Sequence, residues 1–109
     1  MIEEINVDKS LDFIRDNAEK LAEAKATRIY LEQFRKSKKA LLMNDVEGAE
    51  HIRSSHAYSD EGYLLLLENY RDAVREEEYL KWMMTAAQLK IDVYRTQQAN
   101  NRFIDKVHT

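Results

Sequence analysis

Between residues 61 and 101, apolar side chains return three and four residues apart along two separate tracks, and no proline interrupts them. That period belongs to an α-helix, and a stretch so long rules out a strand. On the first track Tyr63, Tyr70, Glu77, Met84, Ile91 and Gln98 take heptad position a. Leu66, Ala73, Leu80, Ala87, Tyr94 and Asn101 take position d. This seam is apolar except at Glu77 and at its last two places. The second track is Tyr79, Trp82, Ala86, Leu89 and Val93. A helix that is apolar on two faces has to be covered on both, and a single partner helix covers one.

The first half of the chain carries a looser version of the pattern. A helix is expected over about residues 8–47, capped by Asp8 or Ser10, with Leu11, Ile14, Ala18, Leu21, Leu31, Phe34 and Leu41 as its apolar stripe. The stripe changes phase near Ala24. Gly48 reads as the helix stop, since glycine takes left-handed backbone readily. Residues 48–60, GAEHIRSSHAYSD, have no clear period and read as a loop. Ser59 or Asp60 then caps a second helix over about 61–101, with a C-terminal tail after it.

With 109 residues there is room for one domain. Two glycines, no proline and abundant Ala, Glu, Lys and Arg favour helix throughout. The absence of cysteine excludes disulfides and thiolate metal sites. The opening MIEEINVDKS lacks the basic and apolar segments of a secretory signal. The longest aliphatic run, residues 64–67, is far short of the roughly 20 residues a membrane span needs. A soluble protein is expected, with no membrane partner. Its net charge of −3 gives no general attraction to nucleic acid.

Charge is unevenly distributed. Residues 25–39 hold six basic and one acidic side chain, while residues 40–80 hold ten acidic and three basic ones. Folding the chain about residue 52 sets these blocks against each other, with Arg28 near residues 76–78, Arg35 near Asp72 and Asp16 near Lys90. Exposed pairs of this kind contribute only about 0.2–1 kcal/mol each, so they select an orientation more than they supply stability. The expected fold is all-α: a long antiparallel helical hairpin. Two such rods, about 60 Å long at 1.5 Å per residue, leave the second track in water. Assembly into a dimeric or larger even-numbered bundle is therefore expected, with Tyr79, Trp82, Ala86, Leu89 and Val93 as the oligomer interface.

Chemistry is less conspicuous. Gln98 and Asn101 hold the last inner a and d places. Either their amides are buried and fix register at a cost in stability, or the helix leaves the bundle there and frays. Gln88, Arg95, Gln98, Asn101 and Arg102 form the candidate polar contact or register set, and amides with arginines also suit base edges and phosphates. The cluster Arg35, Lys36, Lys38 and Lys39 is the candidate nucleic-acid contact. Its simpler explanation is structural, because cations suit the C-terminal half of a helix and face an acidic segment. No aromatic residues interleave it as a stacking platform would need, and Phe34 is assigned to the core. His51, His56, Glu47 and Glu50 lack the spacing of a zinc motif, so no metal or other cofactor is expected. Ser and His meet only in RSSHAYS, without an orienting carboxylate, and no phosphate loop or nucleophile elbow is present. A non-enzymatic protein is expected. Glu77, the acid in the main seam, is expected to pair with Arg28, since an unpaired buried carboxylate is costly.

The run YLKWMMTAAQLKIDVYRTQQANNR resembles the C-terminal segment of a group of small helical proteins of tailed bacteriophages. The residues carrying the resemblance are Trp82, then Ala86, Ala87 and Gln88, then Tyr94, Arg95, Thr96 and Gln97, and finally Asn101 and Arg102. FRKSKKALLM in the first helix is similar to the same group, and the match is weakest in the segment with His51 and His56. The resemblance implies no settled activity. It implies a genetic setting among early phage functions near recombination and replication genes, and hence the cytoplasm of a bacterial host. Expected partners are further copies of the chain and another protein. Direct DNA binding through basic surface of an oligomer is the alternative. Inhibition of a host protein, through the acidic residues 68–78, is a third reading.

Overall fold

A computed structural model describes residues 4–108, and these form three α-helices: α1 (Val7–Asn44), α2 (Glu50–Ser59) and α3 (Glu61–His108). The all-α expectation holds, and no strand is present among the described residues.

The ends of the helices follow from local hydrogen bonding. Asn6, rather than Asp8 or Ser10, caps α1. Its Oδ1 accepts from the Lys9 amide at 3.0 Å and its carbonyl from the Ser10 amide at 3.2 Å. Asp8 instead lies in the first turn, where a carboxylate suits the helix dipole. Asp60 caps α3 as expected, its Oδ2 accepting from the Tyr63 amide at 2.9 Å. The Ser59 hydroxyl is bonded to the His56 carbonyl at 3.1 Å and takes no part in that cap.

Residues 48–60 are not a loop. Glu50–Ser59 make α2, a helix of ten residues that buries Ala57 completely and leaves His51 and His56 exposed. Ten residues give fewer than three turns, and only one small apolar side chain marks the inner face, so no period is visible. Nor does Gly48 end α1, which stops at Asn44. Arg53 of α2 reaches back there, donating from Nε to the Met43 carbonyl at 3.0 Å and from Nη2 to Asn44 Oδ1 at 3.3 Å. A terminal carbonyl that has no intrahelical donor is thereby satisfied. Gly48 sits in the connection at φ +133°. A Cβ there would meet Ile52 only at an ordinary 3.6 Å, so backbone conformation and not crowding demands glycine.

The chain divides into two compact units, one made of Ala22–Glu78 and the other of Met1–Leu21 with Tyr79–Thr109. In the first, Ala24, Arg28, Leu31, Arg35, Lys38 and Leu42 of α1 are buried or half-buried, as are Tyr63, Leu66, Tyr70, Ala73 and Glu77 of α3. Both sets keep an unbroken four-and-three spacing, so α1 has no phase change at Ala24. The apparent shift arose because Arg28, Arg35 and Lys38 occupy inner places with their aliphatic stems. Phe34 is not in the core: it is 43% exposed and stacks on Tyr30 with ring centroids 6.0 Å apart. Leu41 is also exposed.

In the second unit the inner residues are Ser10, Ile14, Asn17 and Leu21 of α1, with Leu80, Met84, Ala87 and Ile91 of α3. Leu11 and Ala18 face solvent, against expectation. Asn17 is accommodated because its Nδ2 donates to the Phe13 carbonyl at 2.8 Å. Past Ile91 the inner places Tyr94, Gln98, Asn101 and Asp105 are exposed. The helix itself continues to His108, so the residues after 101 extend α3 and do not form a separate tail.

Candidate interaction surface

The seam assigned to α3 is matched as far as Ile91. Tyr63, Leu66, Glu77, Leu80 and Ala87 are buried, while Tyr70, Ala73, Met84 and Ile91 are half-buried. Glu77 is held by Arg28, whose Nε donates to Oε2 and whose Nη2 donates to Oε1 at 3.4 Å. Arg28 Nη1 also reaches Glu32 Oε2 at 3.3 Å. The hydrogen bond to Glu77 raises the guanidinium pKa above its ordinary value, against the opposing effect of desolvation. Among the described residues no buried side-chain nitrogen or oxygen is left without a partner.

The other expected cross-chain pairs differ. Arg35 lies over the Tyr70 ring at 5.4 Å, while Asp72 is paired with Arg71 on its own helix at 3.4 Å. Asp16 is paired with its neighbour Arg15 at 3.2 Å. In both cases a nearby arginine on the same helix satisfies the carboxylate at less conformational cost than a longer reach.

The basic cluster is largely occupied. Arg35 packs on Tyr70, and Lys39 Nζ stands 4.7 Å from the centre of the Tyr58 ring. A hydrogen bond with Tyr58 raises the Lys39 pKa, partly offset by desolvation. Lys38 is half-buried close to Gly62, and Lys36 alone of the four is exposed. Four cations aimed at a phosphate backbone would leave more charge in solvent than this.

The polar set at the end of α3 is spread rather than convergent. Gln88, Arg95, Gln98, Asn101 and Arg102 are all exposed, and Arg102 Nε donates to the Gln98 carbonyl at 3.4 Å. Among the described residues no group of three or more His, Asp or Glu side chains is placed to hold a metal ion. No described helix is long and apolar enough to cross a membrane.

The second track is the exception to this quiet surface. Tyr79, Trp82, Leu89 and Val93 are 60, 68, 58 and 48% exposed, and Ala86 between them is exposed as well. On the other side of the same stretch of helix, Leu80, Met84, Ala87 and Ile91 turn inward. The exposed line was legible in the sequence. Its continuation toward the C-terminus was not, because two polar residues follow Val93 on the same line. No protein-family model matches the chain, and no curated protein or solved structure shows significant similarity to it.

Proposed function

We propose that the chain is a non-enzymatic bacteriophage accessory protein that works by binding protein. In this reading it is a long antiparallel helical hairpin that assembles through the outer face of α3 and serves a partner in DNA recombination or replication. One observation carries the proposal: Trp82, with Tyr79, Leu89 and Val93 beside it, stands in solvent on a helix whose opposite side is already packed. Contiguous apolar surface on that scale marks an interaction site. The contacts Arg28 to Glu77 and Arg35 to Tyr70 support the hairpin, since the numbers rise on α1 as they fall on α3. The resemblance of residues 79–102 to small phage proteins supports the setting.

Light scattering tests the assembly. Trp82→Ala and Val93→Asp lower the mass of the particle while helicity is retained; an unchanged mass in both variants contradicts the reading. The partner is tested by capture from infected cells, where a protein held by the parent chain is lost with Val93→Asp. Direct DNA binding predicts instead a mobility shift that weakens steeply with salt and is abolished by Lys36→Ala with Lys38→Ala.

A further inference from the structure

The exposed line on α3 does not stop at Val93. The same spacing leads on to Thr96, Asn100, Phe103 and Val107, so nine residues from Tyr79 to Val107 follow one three-and-four register. All nine are exposed, Phe103 at 68% and Val107 at 64%. At about 100° per residue this line lies roughly 160° around the helix from Leu80, Met84, Ala87 and Ile91, and it runs for about 42 Å. Thr96 and Asn100 interrupt the apolar run beyond Val93.

Resting on the protein-binding reading above, we propose that this line is the seam of a parallel, in-register coiled coil with a second copy of the chain. Tyr79, Ala86, Val93, Asn100 and Val107 take its a-type places; Trp82, Leu89, Thr96 and Phe103 take its d-type places. Valine at a, leucine at d and a single asparagine at a favour two parallel strands with fixed register. In that register Asn100 meets Asn100 of the second copy, and each amide supplies the donor and acceptor the other needs. An antiparallel mate sets Asn100 beside Trp82 or Leu89, neither of which completes the amide's hydrogen bonds. Thr96 enters the seam without stranding a polar group, because its Oγ1 already donates to the Asp92 carbonyl at 3.1 Å.

The flanks agree. Residues bordering the seam would meet as Glu78 with Met83, Thr85 with Lys90, Asp92 with Gln97 and Ala99 with Ile104, so no like charges confront each other. The area is sufficient. Tyr79, Trp82 and Phe103, at about 150–250 Å² for an aromatic side chain, bring roughly 300–500 Å² per copy. The aliphatic places between them carry the two copies past the ~1,000 Å² of a specific interface. The seam also accounts for the length of α3. After Tyr94 its inner face is polar and exposed, and an unsupported helix of about fourteen residues is marginal in water.

Because the chain has no cysteine, single cysteines report the arrangement directly. Ala86→Cys, Val93→Cys, Asn100→Cys and Val107→Cys are oxidised in the full-length protein, with Gln98→Cys and Asn101→Cys on the inner face as controls. All four seam variants are expected to convert from monomer to covalent dimer, and the controls to stay monomeric. Circular dichroism confirms that each remains helical. Linkage at residues 86 and 93 without 100 and 107 overturns the extended seam and leaves the protein-binding reading standing. Linkage at Val93 alone, with Ala86→Cys joining only to Asn100→Cys in mixtures, means an antiparallel mate and overturns the proposal. A parent chain monomeric by light scattering, with no linkage anywhere, removes the assembly reading and the seam with it.

Discussion

Arg28 and Glu77, forty-nine residues apart in sequence, close on each other inside the unit Ala22–Glu78, and Glu77 keeps only 8% of its side chain exposed. The carboxylate stands at a heptad place that is apolar elsewhere from Tyr63 to Ile91. Such a pair adds little net stability beside a hydrophobic replacement, but removing one member leaves an uncompensated charge. Arg28→Met is therefore expected to lower the melting temperature by more than about 10 °C. The double variant Arg28→Met with Glu77→Leu recovers most of that loss. Thermal melts followed by circular dichroism check both; a double variant as unstable as the single one contradicts the account.

Arg53 supports the end of α1 from the next helix. Its bonds to the Met43 carbonyl and to Asn44 Oδ1 are lost in Arg53→Ala. About 1 kcal/mol is expected for them, equivalent to roughly 4–8 °C in a domain of this size. Arg53→Lys recovers little, since a lysine cannot present two donors in a fixed fork. A lysine variant that melts with the parent would mean that charge alone is sufficient there.

Much of α3 was legible because its inner places are apolar and recur for many turns, as Tyr63, Leu66, Leu80, Met84 and Ile91 do. The pairing of Arg28 with Glu77 was legible too, since a lone acid in an apolar seam demands a cation. What escaped has identifiable causes. The inner stripe of α1 runs through Arg28, Arg35 and Lys38, whose stems are covered while a hydrophobic count sees only charge. Helix α2 buries a single alanine, too little to make a period. Asn6 caps α1 although Asp8 and Ser10 stand nearer to the first apolar repeat. The outer line on α3 was cut short where Thr96 and Asn100 interrupt it, although one has its hydroxyl bonded internally and the other is suited to a seam.

Lys39 links α1 to Tyr58 of α2, and that hydrogen bond raises its pKa. A cation whose pKa is raised by folding contributes stability that is complete below its unfolded value and disappears as pH climbs through the folded one. The gap in melting temperature between parent and Lys39→Met is expected to stay constant from neutral pH to about pH 10, the ordinary lysine range, and to close above it. Tyr58→Phe keeps the ring and removes the hydroxyl, so it narrows the gap without abolishing it. A gap already closing below pH 9 would point to another group.

Trp82 is the chain's single tryptophan and is 68% exposed on the outer line of α3. Its fluorescence therefore reports on that surface alone. Covering the line transfers the indole from water into an apolar contact, so emission moves to shorter wavelength and access to a soluble quencher falls as protein concentration rises. Dilution reverses both changes, because association follows mass action. Val93→Asp places a carboxylate four residues beyond Leu89 on the same face, where a second copy would have to desolvate it. In that variant the emission is expected to stay at long wavelength, and the quenching to stay high, at every concentration. Asp placed at Gln98, on the inner face beyond Ile91, leaves the concentration dependence intact because that place is already in water. A parent whose tryptophan is equally quenched from the most dilute to the most concentrated sample has no such interface within that range.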